Sequence, residues 1–233
     1  MEYIQSYEVF RPEYNLFPEV IQFHPTNPVV ASQDSEYDLF MDMTKETLVD
    51  SEIFRDFIGN AVSRFRRTKY YKDYKSYLLS LGLNRSQTLG RITDDMASLE
   101  MHHNFLTIYD IAIMVAEHTI NTVGRINTFQ LIEMLILAHQ NNWVPIVFLD
   151  ETSHQMYHSD VASFLPPSQT FGMWWVLLYQ FRYGITLDIA RKVLLFISRF
   201  YKEEDPMIVQ LREHVLTFSE QNDLGGCSYD DEW

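Results

Sequence analysis

Apolar side chains recur every three or four positions through Leu48, Ile53, Phe54, Phe57, Ile58, Val62 and Phe65, which puts them on one stripe of a helix. With Thr44 as its cap, the pattern predicts a helix over 44–67, interruptible at Gly59. A second helix is predicted over 70–81, stopping at Gly82, and the polar, turn-rich residues 84–95 lead into a short strand, Ala97-Ser98-Leu99-Glu100-Met101-His102. Two apolar stripes with hydroxyl-bearing cap candidates, 107–120 and 128–140, predict a helical hairpin. Trp143-Val144-Pro145-Ile146-Val147-Phe148-Leu149 is β-branched and aromatic and reads as a second strand, with Pro145 at an edge. Thr152 or Ser153 then caps a helix carrying His154 and His158. Three further helices are expected beyond Pro166-Pro167, over about 169–183, 186–202 and 206–219. Residues 1–35 hold Pro12, Pro18, Pro25 and Pro28 without a sustained helical period, as an extended arm would. The chain is therefore expected to be mostly α, of the α+β class.

Composition narrows the setting. A chain of 233 residues with 46% apolar content can bury a full core. Its single cysteine, Cys227, allows no intramolecular disulfide and no thiolate metal cluster, which fits a reducing compartment. The N-terminus has neither a basic nor an apolar signal region, and the most apolar run, Phe171 to Phe181, is about half the ~20 residues that a membrane helix needs. A soluble, cytoplasmic protein with no membrane partner is expected.

The net charge of -14 argues against a nucleic-acid partner until its distribution is considered. Residues 59–91 carry eight basic and one acidic side chains, whereas residues 1–58 carry three and twelve. The stretch Ser63 to Lys75 interleaves cations with aromatics, and Arg64, Arg66, Arg67, Lys69 and Lys72 would suit phosphate contacts. DNA binding of this kind would be weak and salt-sensitive. The same cations could instead neutralise the acidic arm, which is itself a candidate docking element for a protein partner. Both readings stay open.

Candidate chemistry lies in two windows, Glu100-Met101-His102-His103 and His154-Gln155-Met156-Tyr157-His158. On a helix, His154 and His158 fall one turn apart on the same face, which suits two ligands of one ion. On a strand, His102 and His103 point to opposite faces, so one can bind metal while the other addresses a water. A bound metal would polarise a phosphate, and an imidazole titrating near ~6.5 would take the water's proton. Nitrogen ligands favour one divalent zinc, nickel, cobalt or manganese ion over magnesium. His154-x3-His158 lacks the glutamate that a zinc protease would place between its histidines.

The Glu100-Met101-His102-His103 window, with Asn142-Trp143-Val144-Pro145 leading to His154-x3-His158, resembles the HNH endonucleases, most closely the colicin-type DNases. The resemblance covers roughly residues 97–160. It implies a ββα-metal finger in which His102, His154 and His158 bind metal, His103 is the general base and Glu100 sits at the site. The family's asparagine, which holds the finger loop and the base, maps to Asn142, with Asn141 and Asn104 as alternatives. Two departures are a helical hairpin in place of the short loop between the strands, and a single basic residue, Arg125, over 92–160. Many phage-encoded proteins resemble HNH nucleases with such insertions, which implies a phage origin and a host-cytoplasm setting.

The resulting organisation is an acidic arm at 1–43, a helical segment with the basic and aromatic stripe at 44–96, the finger with its inserted hairpin at 97–160, C-terminal helices at 161–222 and an acidic tail at 223–233. Ordinary roles cover other residues: His139 falls on the Ile132 and Leu135 face as a core or helix-end histidine, and Trp174, Trp175, Leu177, Leu178 and Phe181 serve the core or a partner. The function expected is a metal-dependent HNH-like endonuclease acting on DNA. The alternative is a non-catalytic phage structural or interaction protein that keeps the finger as a metal-stabilised scaffold, and a third reading is an acidic DNA mimic.

Overall fold

The computed structural model describes residues 41–159 and 164–223, excepting the side chains of His158, Ser159 and Asp223. The expected acidic tail and nearly all of the extended arm lie outside the described residues. Within them the fold is mostly helical, with two small two-stranded sheets. None of these helices is long and apolar enough to cross a membrane.

Helix α1, Ser51–Arg67, starts later than the apolar periodicity predicts. Asp50 accepts from the N–H groups of Glu52 and Ile53 and so supplies the cap expected of Thr44. Thr44 belongs instead to a short strand, β1 (Asp42–Thr44), and a 3-10 turn follows at Thr47–Val49. The periodic residues Phe54, Phe57, Ile58, Val62 and Phe65, with Ala61, are completely buried. Each large side chain among them contributes about 1.5–3 kcal/mol of transfer free energy. Gly59 does not interrupt the helix. Thr68 ends α1 and caps α2 (Lys69–Ser80) by accepting from Tyr71 N–H at 3.1 Å.

Strand β2 is Leu99–His103. The hairpin that follows has the expected helices α3 (Ile108–Val123) and α4 (Thr128–Gln140). Between them lies a short strand, β3 (Arg125–Asn127), which pairs antiparallel with β1 and has too few residues to show a period-two pattern. Thr107 caps α3 in a reciprocal box with Asp110, whose carboxylate also meets Lys192 at 2.9 Å. The cap of α4 is Asn127 rather than Thr128, because Asn127 Oδ1 reaches the Phe129 and Gln130 N–H groups. Helix α1 packs on α3 and α4, and α2 packs on α4.

Strand β4, Ile146–Asp150, pairs antiparallel with β2, with His102 opposite Val147 and Glu100 opposite Leu149. All five β4 residues are buried. The edge of β4 away from β2 is occupied: Gln87 exchanges backbone and side-chain bonds with Phe148, and Phe171 exchanges two backbone bonds with Ile146. The backbone N–H and C=O groups of Phe148 and Ile146 therefore point away from β2, which leaves those of Val147 and Leu149 to bond His102 and Glu100. Helix α5 (Glu151–Ser159) turns back onto both strands. Its first turn is held by Asp150, which accepts from Ser153 N–H at 3.1 Å, so Asp150 takes the capping role expected of Thr152 or Ser153.

The C-terminal helices are α6 (Trp174–Gln180), α7 (Leu187–Phe200) and α8 (Pro206–Asp223), with α6 shorter than its apolar run suggests. The 3-10 turn Arg182–Gly184 presses against α3, and only glycine fits at 184, where a Cβ would lie 1.8 Å from the Met114 carbonyl oxygen.

Candidate functional site

The two faces of β2 are chemically different, because alternate residues point to opposite sides. One face carries Glu100 and His102 toward α5. His154 Nδ1 donates to Glu100 Oε2 at 2.9 Å, and the His102 ring meets the edge of the His154 ring with centroids 5.1 Å apart. Tyr157, one turn beyond His154, lies across His102 at 4.9 Å. Glu100, His102 and His154 are thus brought together, half-exposed, on the outer side of the β2–β4–α5 unit.

The side chain of His158, the third expected ligand, is outside the described residues. Among those described, no group of three His, Cys, Asp or Glu side chains is arranged to hold a metal ion. The donor chemistry of the pair still suits a borderline divalent cation. A histidine whose Nδ1–H is held by a carboxylate has its Nε2 side oriented and made more basic for a metal. His102 and His154 would hold such an ion, and Glu100 would act through His154.

The other face of β2 is closed. His103 is only 4% exposed and His139, on α4, is 0% exposed. Their Nε2 atoms are 3.1 Å apart, and His139 Nδ1 lies 2.6 Å from the Leu135 carbonyl oxygen. A carbonyl can only accept, so Nδ1 of His139 carries its proton, Nε2 of the neutral ring accepts, and His103 Nε2–H donates. Phe65, Tyr71 and Tyr74 pack around the His139 ring. Burial, the neighbouring histidines and the Arg66 charge hold His103 well below the usual imidazole range, and burial pulls His139 down to about 4. His103, expected as the general base beside the metal, therefore lies across the strand from His102 and His154, with one ring nitrogen committed to His139.

Asn142 also stands apart from Glu100 and His154 in its bonding. It follows the end of α4 in the left-handed region, at φ 53°, where asparagine is tolerated. Its side chain accepts from the Tyr74 hydroxyl at 3.2 Å, and its carbonyl accepts from Met173 N–H. Asn104 is the asparagine beside β2. Its Nδ2 donates to Leu165 O at 2.9 Å and Thr170 Oγ1 at 2.6 Å, while its Oδ1 accepts from Leu165 N–H and the Tyr157 hydroxyl. Asn104 thereby ties α5 and the 165–170 segment to the end of β2.

The model of the Bacteriophage G278-like virion protein family matches residues 19–220. The chain belongs to that family. Neither a curated protein nor a solved structure matches it. The phage association implied by the sequence resemblance is borne out, whereas the HNH endonucleases have no counterpart among these matches.

In this phage virion family member the basic stretch forms the corner where α1 runs into α2. Arg66, Arg67, Lys69 and Lys72 are exposed, whereas Arg64 is half-buried. Arg66 also lies 5.7 Å over the Tyr109 ring. Sequence reading passed over three features. His139 was legible as a core residue, but its pairing with His103 depends on how α4 crosses β2, which no local pattern encodes. Tyr157 sits three residues after His154 on the same helix face, and that spacing was the available signal. The third is a hydroxyl cluster in which Ser86 and Ser153 donate to Asp150 Oδ2 at 2.6 and 2.7 Å, pinning the 84–97 loop to the start of α5.

Proposed function

We propose that this protein is a non-catalytic structural or interaction component of the phage particle, in which β2, β4 and α5 form a metal-stabilised scaffold of HNH-like design. The carrying observation is the burial of His103 against His139, which leaves the outward Glu100, His102 and His154 group without its expected base. Family membership over residues 19–220 favours the same reading. A metal bound by His102 and His154 would tie β2 to α5, a stapling role that is a recognised contribution of structural sites. Asn104 and Tyr157 hold the same elements from the side by hydrogen bonds.

The test combines three measurements on the purified chain. The expected results are a bound divalent metal, a lower melting temperature after chelation, loss of that chelator response in His154→Ala, and no plasmid nicking with any added divalent metal. Particles should contain the chain as a stable component by mass spectrometry.

A second reading, a DNA-cutting HNH-like endonuclease, is favoured by the antiparallel β2–β4 pair followed by α5, with Glu100, His102 and His154 in one place. Plasmid nicking by the wild-type chain that disappears in His103→Ala would establish that reading and overturn the scaffold.

A further inference from the structure

The corner between α1 and α2 gathers four exposed cations, Arg66, Arg67, Lys69 and Lys72. The chain has 32 acidic and 18 basic side chains, so a cation has many possible partners. Some cations meet one: Arg191 meets Asp188 at 3.0 Å, Lys192 meets Asp110 at 2.9 Å and Arg212 meets Glu203 at 3.5 Å. At the corner only Lys69 has a carboxylate partner among the described residues, Asp73 on the next turn. Arg66, Arg67 and Lys72 have none there within ion-pair distance.

Helix electrostatics account for half of this pattern and sharpen the rest. Arg66 and Arg67 end α1, where the helix dipole welcomes cations. Lys69 and Lys72 occupy the beginning of α2, whose first turn has no acidic residue. Cations are disfavoured there, because the dipole is already positive. Folding thus concentrates four cations where two of them raise the local potential against their own helix. Local rules broken in this way are expected at functional or strained sites.

We propose that the α1–α2 corner binds the phosphate backbone of double-stranded DNA without sequence preference, through Arg66, Arg67, Lys69 and Lys72. The occupant follows from charge complementarity: the ligand must be a polyanion able to meet four cations on one exposed corner, and duplex DNA presents a phosphate charge about every 1.7 Å along its axis. Membership of a virion protein family supplies the setting, since a phage particle encloses nucleic acid. No base-reading side chains are involved, so the contact positions the protein on DNA and carries no sequence information. The surface shares no residue with the Glu100, His102 and His154 group, and its function stands whether or not that group binds metal.

The test is fluorescence anisotropy of the full chain with two unrelated labelled duplexes of about 30 base pairs, across salt from about 50 to 200 mM. Four phosphate contacts give a log–log salt slope of about -3.6, hence about 150-fold weaker binding across that range. Lys72→Gln or Arg67→Gln should each lower the slope by about 1 and weaken both duplexes alike. Lys202→Gln makes the same change of charge in the α7–α8 connection and should alter binding less than twofold. Asp73→Asn releases Lys69 and should tighten binding several-fold, a gain that loss of folding cannot produce. Equal losses in Lys202→Gln and Lys72→Gln would reduce the effect to net charge and overturn the site. Binding seen only after removal of residues 1–40 would assign the corner to the chain's own acidic arm and would likewise overturn it.

Discussion

Glu117 should cost this protein stability at neutral pH that it does not cost at mild acidity, and replacing it should remove that cost. The carboxyl lies in the middle of α3, is 4% exposed and has no cation within ion-pair distance among the described residues. Burial raises its pKa from the ordinary 4.5 to about 8. At this site the folded chain then keeps a proton that the unfolded chain has released between pH 4.5 and about 8, so the contribution of Glu117 to stability falls as pH rises through that window. At about 1.36 kcal/mol per pH unit, the penalty is under about 1 kcal/mol at pH 5 and about 3 kcal/mol at pH 7, and it levels off above pH 8. Glu117→Gln keeps the shape and removes the titration. Urea unfolding of both proteins at pH 5, 6, 7 and 8 should give curves that nearly coincide at pH 5 and separate steadily toward pH 8. The variant should melt roughly 6–12 °C higher at neutral pH, given about 2–4 °C per kcal/mol for a chain of this size. The buried histidines titrate in both proteins and cancel in the difference. A gap that stays constant from pH 5 to pH 8, or a variant no more stable at pH 8, would refute the reasoning.

Two further outcomes follow from buried groups and backbone contacts. Burial holds both His118 and His139 down at about 4, so both stay neutral in the fold while the unfolded chain takes up protons below pH 6.5; their contribution to stability should fall as pH drops from 6.5 toward 4, in Glu117→Gln as in the wild type. Their ring signals in NMR should stay constant from pH 8 to pH 5, and a midpoint above 6 for either would contradict its burial. Gly172→Ala should destabilise by more than about 2 kcal/mol in thermal melts, since position 172 has φ 107° and its new Cβ would lie 2.0 Å from the Val144 carbonyl oxygen. A neutral result would mean that the 171–173 segment can move away from β4.

The parts of the fold that were legible in the sequence are those governed by neighbours a few residues away. The α1 stripe, the α3–α4 hairpin and its Thr107 cap, and the order strand, hairpin, strand, helix all follow from local periodicity and turn chemistry. Helix starts shifted where two residues compete to cap. Asp50 displaced Thr44 and Asn127 displaced Thr128, because the winner is the one whose oxygen meets the first free N–H groups. Strands β1 and β3 were illegible, since each has three residues and exists by pairing with a partner about 80 positions away.

The candidate site divides in the same way, and the division carries its meaning. Alternation along β2 was enough to predict that His102 and His103 face opposite sides. What lies on each side is a tertiary fact. On one side α5 returns with His154 to meet Glu100 and His102 at the surface. On the other, α4 brings His139 against His103 and seals both among Phe65, Tyr71 and Tyr74. A resemblance built on short motifs carries over residue types and spacing, but a general base also needs access to water and an uncommitted nitrogen. His103 lies in the core, and the hydrogen bond to His139 uses one of its two nitrogens. The metal proposed for the surface group would not depend on His103, which is why the proposed virion component accounts for more of this geometry than a nuclease does.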